Sequence, residues 1–385
     1  MKSKYFLFSI FYFSGFVLNV LVNRYVFGNL SEEEFGKYSY YFNFLMLLVP
    51  VFSFNLKDSV LRFFNRTDTV YFQTIFILSC FSFIVSLIFT LFVNIYFSLF
   101  FFIIFFNVLM SIFRGRELLF HFNLQRILPP LILLTFVYVY RPISHQGIIL
   151  FTGLGYFLTC LFFLFLYIKV FVNKLFQPIK FNLIYDSSKQ LLAYSIPTIL
   201  TTLSVWAFNF FDQYIIEYFY SYEYLSDFSA AVRILNIYKV ALSIVLVIYP
   251  VFYLKNYELP KKIKKVRFLV ITGVVLFTLI SLYLKDYYYI LLGAEKYLST
   301  SYLFSFLVIS EGIKFISTLY LAVYSYLKRT IITTYIYMGI SLFSILLNYI
   351  FVPIFGNIGS ATISIIVSIA MIFTTLILNK KYEFK

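Results

Sequence analysis

Long apolar runs separated by short polar breaks fill the chain from Tyr5 to about Leu378. A helix needs about 20 mostly apolar residues to cross the hydrocarbon core of a bilayer, and most of the runs are close to that length. The pattern therefore predicts an all-α polytopic membrane protein with about 12 transmembrane helices. The fifth run is short and contains Pro129 and Pro130, so it fits the pattern least well. The predicted spans are residues 5–22, 38–56, 71–93, 95–113, 124–140, 147–168, 190–216, 228–254, 267–284, 300–324, 330–352 and 357–378.

The composition excludes a soluble enzyme. The 385 residues are 62% hydrophobic and 12% charged, whereas soluble domains carry about 25% charged residues. No polar break is long enough for a catalytic domain, and no phosphate loop or nucleophile motif is present. His121 and His145 lie in breaks on opposite predicted sides, and Cys80 and Cys160 lie within apolar runs. We therefore expect no catalytic residues, no metal site, no disulfide and no cofactor.

The positive charge lies mainly in every second polar break. The net charge is +15, from 31 Lys and Arg against 16 Asp and Glu. Basic residues concentrate in the cytoplasmic loops of membrane proteins, so the bias predicts that both termini are cytoplasmic. It also explains the charge better than nucleic-acid binding does. Of the basic residues, only Arg24, Lys37, Arg141, Lys285 and Lys296 fall in predicted outer breaks, and Arg233, Lys239 and Lys314 fall within spans.

The two halves of the chain contain similar segments in the same order. Six spans in each half would make both halves enter the membrane in the same sense. We therefore predict two six-helix lobes, residues 1–172 and 190–385, related by a parallel pseudo-two-fold axis and joined by a cytoplasmic linker at 173–189. Chance similarity between helices rich in Phe and Tyr is the alternative. The matching segments are Asn23-Arg24-Tyr25 through Tyr38-Ser39 with Asp212-Gln213-Tyr214 through Phe228-Ser229, Pro50-Val51-Phe52 with Pro250-Val251-Phe252, and Pro142-Ile143 and Gly147 with Pro353-Ile354 and Gly359.

Three segments carry a resemblance to a known family: 27–38 (FGNLSEEEFGKY), Asp212 through Arg233, and Leu347 through Ala361. In these the chain resembles the polysaccharide (O-antigen) flippases of the multidrug/oligosaccharidyl-lipid/polysaccharide (MOP) exporter superfamily. The resemblance implies a two-lobed helical bundle that moves an undecaprenyl-pyrophosphate-linked oligosaccharide across the bacterial inner membrane. The drug-exporting MATE branch often has an acidic residue in its first span. This sequence has none there, which argues against drug export.

Charged residues inside predicted spans are the candidate site residues, because an ionisable group in a bilayer is costly and is usually functional. Arg and Lys offer the charge-assisted donors that a pyrophosphate needs, so Arg233 and Lys239 are expected to contact the lipid headgroup, with Lys314 as a further cation. Pairing of Arg233 with Asp212 at a similar depth is the alternative for that arginine. Lys239 shows no acidic partner at its depth in the sequence.

The acidic residues within spans suggest coupling to an ion gradient. Glu311 and Lys314 lie three residues apart on one helix face, where they can neutralise each other as a structural pair. The functional alternative is that protonation of Glu311 releases Lys314. Asp212 is the other coupling candidate, with Asn209 and Thr202 extending a polar stripe along its helix.

The first half carries charges only at the ends of its spans. Arg24 closes the first span on the predicted outer side. Arg62, Arg114 and Arg116 lie at predicted inner ends, where they could attract an anionic headgroup or simply anchor the topology.

The spans and charges predict a transporter working by alternating access, and the resemblance implies that it is a flippase for an undecaprenyl-pyrophosphate-linked repeat unit of lipopolysaccharide O-antigen, capsule or exopolysaccharide. The expected partners are that glycan, membrane lipids, and the polymerase and chain-length regulator of the same pathway. No nucleic acid is expected, and a monomer is sufficient. The alternatives are a polysaccharide polymerase, which usually needs a larger outer loop than this chain offers, and a MATE-type small-molecule exporter.

Overall fold

The computed structural model describes residues 2–63, 69–115, 118–175, 177–178, 181–256, 258–326 and 330–382. Every regular element in these ranges is helical, so the predicted all-α class is confirmed. The helices are α1 (Lys2–Asn29), α2 (Glu32–Phe52), α3 (Leu56–Arg62), α4 (Thr69–Val93), α5 (Ile103–Gly115), α6 (Leu119–Tyr140), α7 (His145–Leu166), α8 (Ile168–Leu175), α9 (Phe181–Phe219), α10 (Tyr222–Lys255), α11 (Pro260–Tyr283), α12 (Lys285–Leu291), α13 (Ser301–Tyr326) and α14 (Thr330–Tyr382), with 3-10 segments at Ile95–Phe102 and Glu295–Thr300.

Within the described ranges, eight helices are long and apolar enough to cross a membrane, or up to nine if the bent pair α2–α3 counts as one span. This number is lower than the predicted twelve partly because α14 contains both of the last two predicted spans, with a break at Gly356. The chain is thus a multi-pass membrane protein.

The break predicted as a polar linker contains helical structure. α8 occupies its start, and α9 begins at Phe181, nine residues before the predicted span. The chain divides into two compact units, Met1–Leu203 (unit 1) and Ser204–Lys385 (unit 2), and the division falls inside α9. The predicted lobe boundaries at 172 and 190 remain a prediction.

Unit 1 departs from the sequence pattern at the second predicted span. The pattern predicts one helix over 38–56, but α2 ends at Phe52 and the chain bends by 52° into α3. Phe54 and Asn55 take left-handed backbone angles there. The buried Asn55 side chain compensates by donating to Asp58 Oδ2 at 2.7 Å and to Thr198 Oγ1 at 2.8 Å.

Each unit contains a matching capped turn. Ser31 is the N-cap of α2 and accepts from the Glu34 N–H at 3.3 Å. Ser221 is the N-cap of α10 and accepts from the Tyr224 N–H at 3.2 Å. A serine at the N-cap satisfies a backbone donor that the helix itself leaves unpaired. The offset between the serines equals the offset between Tyr38 and Phe228 in the sequence comparison. The capped turns therefore support the repeat.

The residue three positions after each serine holds a later turn of the same unit. In unit 1, Glu34 Oε2 accepts from the His145 N–H at 2.8 Å and lies 2.8 Å from His145 Nδ1. In unit 2, the Tyr224 hydroxyl accepts from the Asn357 N–H at 3.2 Å, and its carbonyl accepts from Asn357 Nδ2 at 2.9 Å. We call these links the unit 1 clasp (Glu34–His145) and the unit 2 clasp (Tyr224–Asn357).

The proline correspondence between the halves is not supported. Counted from the first residue of each helix, Pro50 is the nineteenth residue of α2, whereas Pro250 is the twenty-ninth of α10. Because the two helices start at equivalent caps, the prolines do not hold equivalent positions.

Gly356 is required by the unit 2 clasp. Its backbone has φ +55°, and a Cβ there would lie 2.1 Å from the Tyr224 hydroxyl. Glycine alone combines that conformation with so close an approach.

We expect Gly356→Ala to destabilise the protein, because the left-handed backbone alone costs about 1–3 kcal/mol and the methyl group also displaces Tyr224. Thermal unfolding in detergent measures the loss. Gly339→Ala is the matched control, since nothing lies within 4 Å of a Cβ at that helical position. Tyr224→Phe in the Gly356→Ala background should recover part of the loss. Equal melting of the two alanine variants would contradict this account.

Candidate functional site

Unit 2 brings four of the predicted charged residues together between helices. Asp212 comes from α9, Lys239 from α10, and Glu311 and Lys314 from α13. A serine of α14, Ser360, completes the polar contacts. We call these five residues the charged cluster. All four ionisable side chains are half-buried.

Lys239 pairs with Glu311 across two helices. Its Nζ lies 3.4 Å from Glu311 Oε2, and the two side chains are 29% and 19% exposed. No described residue makes a hydrogen bond to that carboxylate oxygen. The charges therefore attract each other without the geometry of a hydrogen-bonded salt bridge, which leaves the pair easier to exchange.

Lys314 contacts neutral groups instead. Its Nζ lies 3.5 Å from Asn209 Oδ1 and 4.1 Å from the centroid of the Phe208 ring. No carboxylate of the described residues forms an ion pair with it. An amide oxygen and the negative face of an aromatic ring stabilise an ammonium group only in part. Lys314 thus presents a cation that an anion could engage.

Asp212 lies beside these lysines. Its Oδ1 accepts from the Gln213 N–H at 2.8 Å and its Oδ2 accepts from Ser360 Oγ at 3.5 Å. The charges of Lys314 and Lys239 attract the carboxylate. The cluster therefore contains two carboxyl groups, of Asp212 and Glu311, and two amino groups, of Lys239 and Lys314, whose charges act on one another.

One sequence prediction is wrong: Lys239 does have an acidic partner, Glu311. The ion pair of Glu311 is with Lys239, while the charge of Glu311 also acts on Lys314. Spacing of three residues places Glu311 and Lys314 on one face of α13, but both side chains are long enough to reach neighbouring helices. Glu311 turns to α10 and Lys314 turns to α9, which a single-helix pattern cannot show.

The remaining candidates of the second half are Arg233 and the polar stripe of α9. Arg233 is half-buried on α10, and Lys314 and Lys239 act on Asp212. Asn209 contacts Lys314 of the charged cluster, as the polar stripe suggested, whereas Thr202 accepts from Asn55 in unit 1 at 3.3 Å.

The first-half candidates lie at helix ends. Arg24, Arg62 and Arg114 are all exposed in unit 1, near the ends of α1, α3 and α5. Arg116 lies outside the described residues. The structure does not bring the described three into a cluster comparable to that of unit 2.

Phe208 and Ser360 were missed by sequence reasoning. Ser360 is a polar residue within an apolar span, and that is the signal that could have found it. Phe208 is one of 53 phenylalanines and carried no signal. No group of three or more His, Cys, Asp or Glu residues in the described ranges could hold a metal ion.

Solved membrane transporters share this architecture. A multidrug resistance MATE family transporter of the MOP superfamily, in an inward-facing conformation, matches with a TM-score of 0.72 at 15% identity over 96% of this chain and 95% of that chain. The lipid II flippase MurJ, in an inward closed conformation, matches with a TM-score of 0.72 at 14% identity over 97% and 87%. This chain shares the helical fold of these transporters.

A MOP superfamily transporter from Pyrococcus furiosus, described by a binding pocket of reverse polarity, matches with a TM-score of 0.58 at 16% identity over 98% and 95% of the two chains. No family model and no curated protein matches the sequence. The structural matches confirm the fold class predicted from sequence. The polysaccharide branch of the MOP superfamily remains a prediction.

A double-mutant cycle tests the cross-helix pair. Lys239→Gln and Glu311→Gln should each lower the thermal stability, since each leaves one charge without its partner. The two effects should be less than additive, with a coupling of about 0.5–3 kcal/mol. Combining Glu311→Gln with Lys314→Gln serves as the comparison. Strict additivity for Lys239 with Glu311, and coupling for Glu311 with Lys314, would favour the same-helix pair instead.

Proposed function

We propose that this protein is a flippase for a lipid-linked glycan with an undecaprenyl pyrophosphate anchor, acting in the bacterial inner membrane by alternating access. The observation that carries the proposal is Lys314, a half-buried ammonium group held by Asn209 and Phe208 rather than by a carboxylate. The MOP fold supports transport, and one solved protein of that fold is named a lipid II flippase.

The chemistry of the cluster fits an anionic headgroup. A pyrophosphate diester is a dianion, and moving it through hydrocarbon requires donors that replace its water. Lys314 is available for such contacts, and Lys239 becomes available once Glu311 yields it. Charge-assisted hydrogen bonds from ammonium groups to phosphate oxygens are short and strong, more so where the surroundings exclude water.

Competition for Lys239 would connect binding to the transport cycle. The Lys239 ammonium group lies 3.4 Å from Glu311 Oε2. A substrate phosphate and the Glu311 carboxylate are therefore alternative partners for Lys239. Protonation of Glu311 would release Lys239 to the substrate, and loss of that proton would recapture it. Asp212, beside both lysines, is the second acid through which an ion gradient could act.

The sequence evidence on polarity favours this substrate over a cationic drug. The first span contains no acidic residue, and the cations Arg233, Lys239 and Lys314 all lie in spans of the second half. Intramembrane charges usually pair with groups of opposite sign on the substrate or on neighbouring helices. A MATE-type exporter of cations would be expected to have more acidic than basic residues within its spans.

The test compares single and double substitutions in a strain deleted for the gene. We expect deletion to abolish surface glycan and to leave single lipid-linked repeat units on the cytoplasmic face. Lys239→Gln and Lys314→Gln should each reduce display at least about tenfold at normal protein level, the factor that corresponds to losing one charge-assisted contact. Lys261→Gln, at an exposed position, is the control and should retain display.

The Lys239→Gln/Glu311→Gln double variant separates binding from pairing. It removes both charges, so it should be stable and still fail to display glycan if the substrate needs Lys239. Restored display would show that Lys239 serves only to neutralise Glu311. Repeat units accumulating on the periplasmic face would indicate a polymerase, and cation efflux with intact glycan display would indicate a small-molecule exporter.

A further inference from the structure

Unit 1 contains an apolar groove that the charged cluster does not involve. It lies between α4, α7 and the segment formed by Ile95–Phe102 and α5, and its volume is about 200 Å³. We call it the unit 1 groove. Its walls include Phe72 and Phe76 of α4, Phe102 and Phe105, and Phe157 and Leu161.

The groove offers only carbon to a ligand. The two lining residues with polar side-chain atoms direct them to backbone carbonyls: Ser79 Oγ donates to Ile75 O at 2.8 Å, and Cys160 Sγ lies 3.8 Å from Phe102 O. A hydroxyl bonded to its own helix adds no polarity to the surface. Neither water nor a sugar would find a partner there, so the occupant must be hydrocarbon.

The groove opens at the surface of unit 1 within spans that cross the membrane. Leu161 and Leu164 on its rim are 42% and 41% exposed. All three walls belong to candidate membrane spans. An apolar cavity of about 150 Å³ accommodates benzene, so this one has room for roughly one or two five-carbon isoprene units.

A cation stands at one end of the groove. Lys174 Nζ lies 5.5 Å from the centroid of the Phe72 ring, in the first turn of α4. The neighbouring residue, Gln73, holds this part of the chain by donating to Lys174 O and Gln177 O, both at 2.9 Å. These hydrogen bonds hold the backbone of Lys174 next to the α4 end of the groove. This end is also the one predicted to be cytoplasmic.

The walls favour a selected chain over bulk lipid. Phe102 packs against Phe83 with ring centroids 4.5 Å apart and against Phe157 at 4.6 Å. Phenylalanines packed in this way form a stiff surface, which costs little ordering entropy when it binds a chain of matching shape. Ordinary acyl chains can cover a smooth helix face without any groove.

We propose that the unit 1 groove binds the first isoprene units of a polyprenyl phosphate, with the phosphate at Lys174. The inference rests on the proposed function, since that function supplies the polyprenyl chain. In unit 1 it adds a site for the lipid phosphate and the first isoprene units, separate from the headgroup site in unit 2, so the lipid would occupy the two sites at different stages of transport. The substrate chain would be recognised as hydrocarbon of a particular shape, whatever sugars it carries.

Site-specific photo-crosslinking in lipid nanodiscs tests the groove. The full chain carries p-benzoylphenylalanine in place of Leu161 on the rim or, as a control, in place of Leu131 on α6, which is also 42% exposed. Radiolabelled undecaprenyl phosphate is the probe. We expect at least about tenfold more labelling at 161, because close packing in the groove adds dispersion contacts that fluid lipid lacks.

Competition identifies the ligand. Unlabelled undecaprenyl phosphate should remove the label at 161. Phosphatidylglycerol in about tenfold excess over the probe should not remove the label, because a lipid without affinity for the groove does not compete by mass action. Lys174→Gln should weaken labelling by undecaprenyl phosphate and leave labelling by undecaprenol unchanged. Equal labelling at 161 and 131, or equal competition by phosphatidylglycerol, would overturn the proposal.

The outcome is separable from that of the proposed function. Selective labelling with no effect of gene deletion on glycan display would leave the groove as a polyprenyl phosphate site and remove the flippase assignment. Loss of display on deletion, with unselective labelling at 161, would retain the flippase and remove the groove.

Discussion

The need to satisfy backbone polar groups inside hydrocarbon governs this structure. A helix pairs its own N–H and C=O groups, so successive apolar runs can only become helices once they enter a bilayer. Hydroxyl side chains follow the same rule: Thr74, Thr159 and Thr375 each donate to the carbonyl four residues earlier. Against this background of locally satisfied groups, the charged cluster of unit 2 stands out, because Lys239, Glu311 and Lys314 contact partners on other helices.

The sequence predicted the helices well and their contacts poorly. Hydropathy located α4 and α7 to within a few residues, because the length of an apolar run is a local property, whereas α11 begins seven residues before its predicted span. The bend after α2 was missed, since it depends on Asn55 finding Thr198 far along the chain. Likewise, periodicity placed Glu311 and Lys314 on one face of α13, and only packing shows that their side chains diverge.

The two units use the same helical architecture for different chemistry. Unit 2 concentrates charge between its helices, and unit 1 carries its described arginines at exposed ends and an apolar groove between its walls. An amphiphilic substrate has two parts with opposite solvation needs, one requiring donors and the other requiring hydrocarbon. The MOP fold is common to proteins named as drug transporters and as a lipid flippase, so such local differences must carry specificity.

The two clasps have the same hydrogen-bond geometry in the two units. Each requires one acceptor, three residues after a capping serine, aimed at a backbone N–H in a later turn of its own unit. Unit 1 supplies a carboxylate and unit 2 supplies a phenolic hydroxyl. The two units thus share a geometry of hydrogen bonds at these turns rather than residue identity. Because the link needs an acceptor and not a particular charge, an anionic side chain forms it in one unit and a neutral side chain forms it in the other.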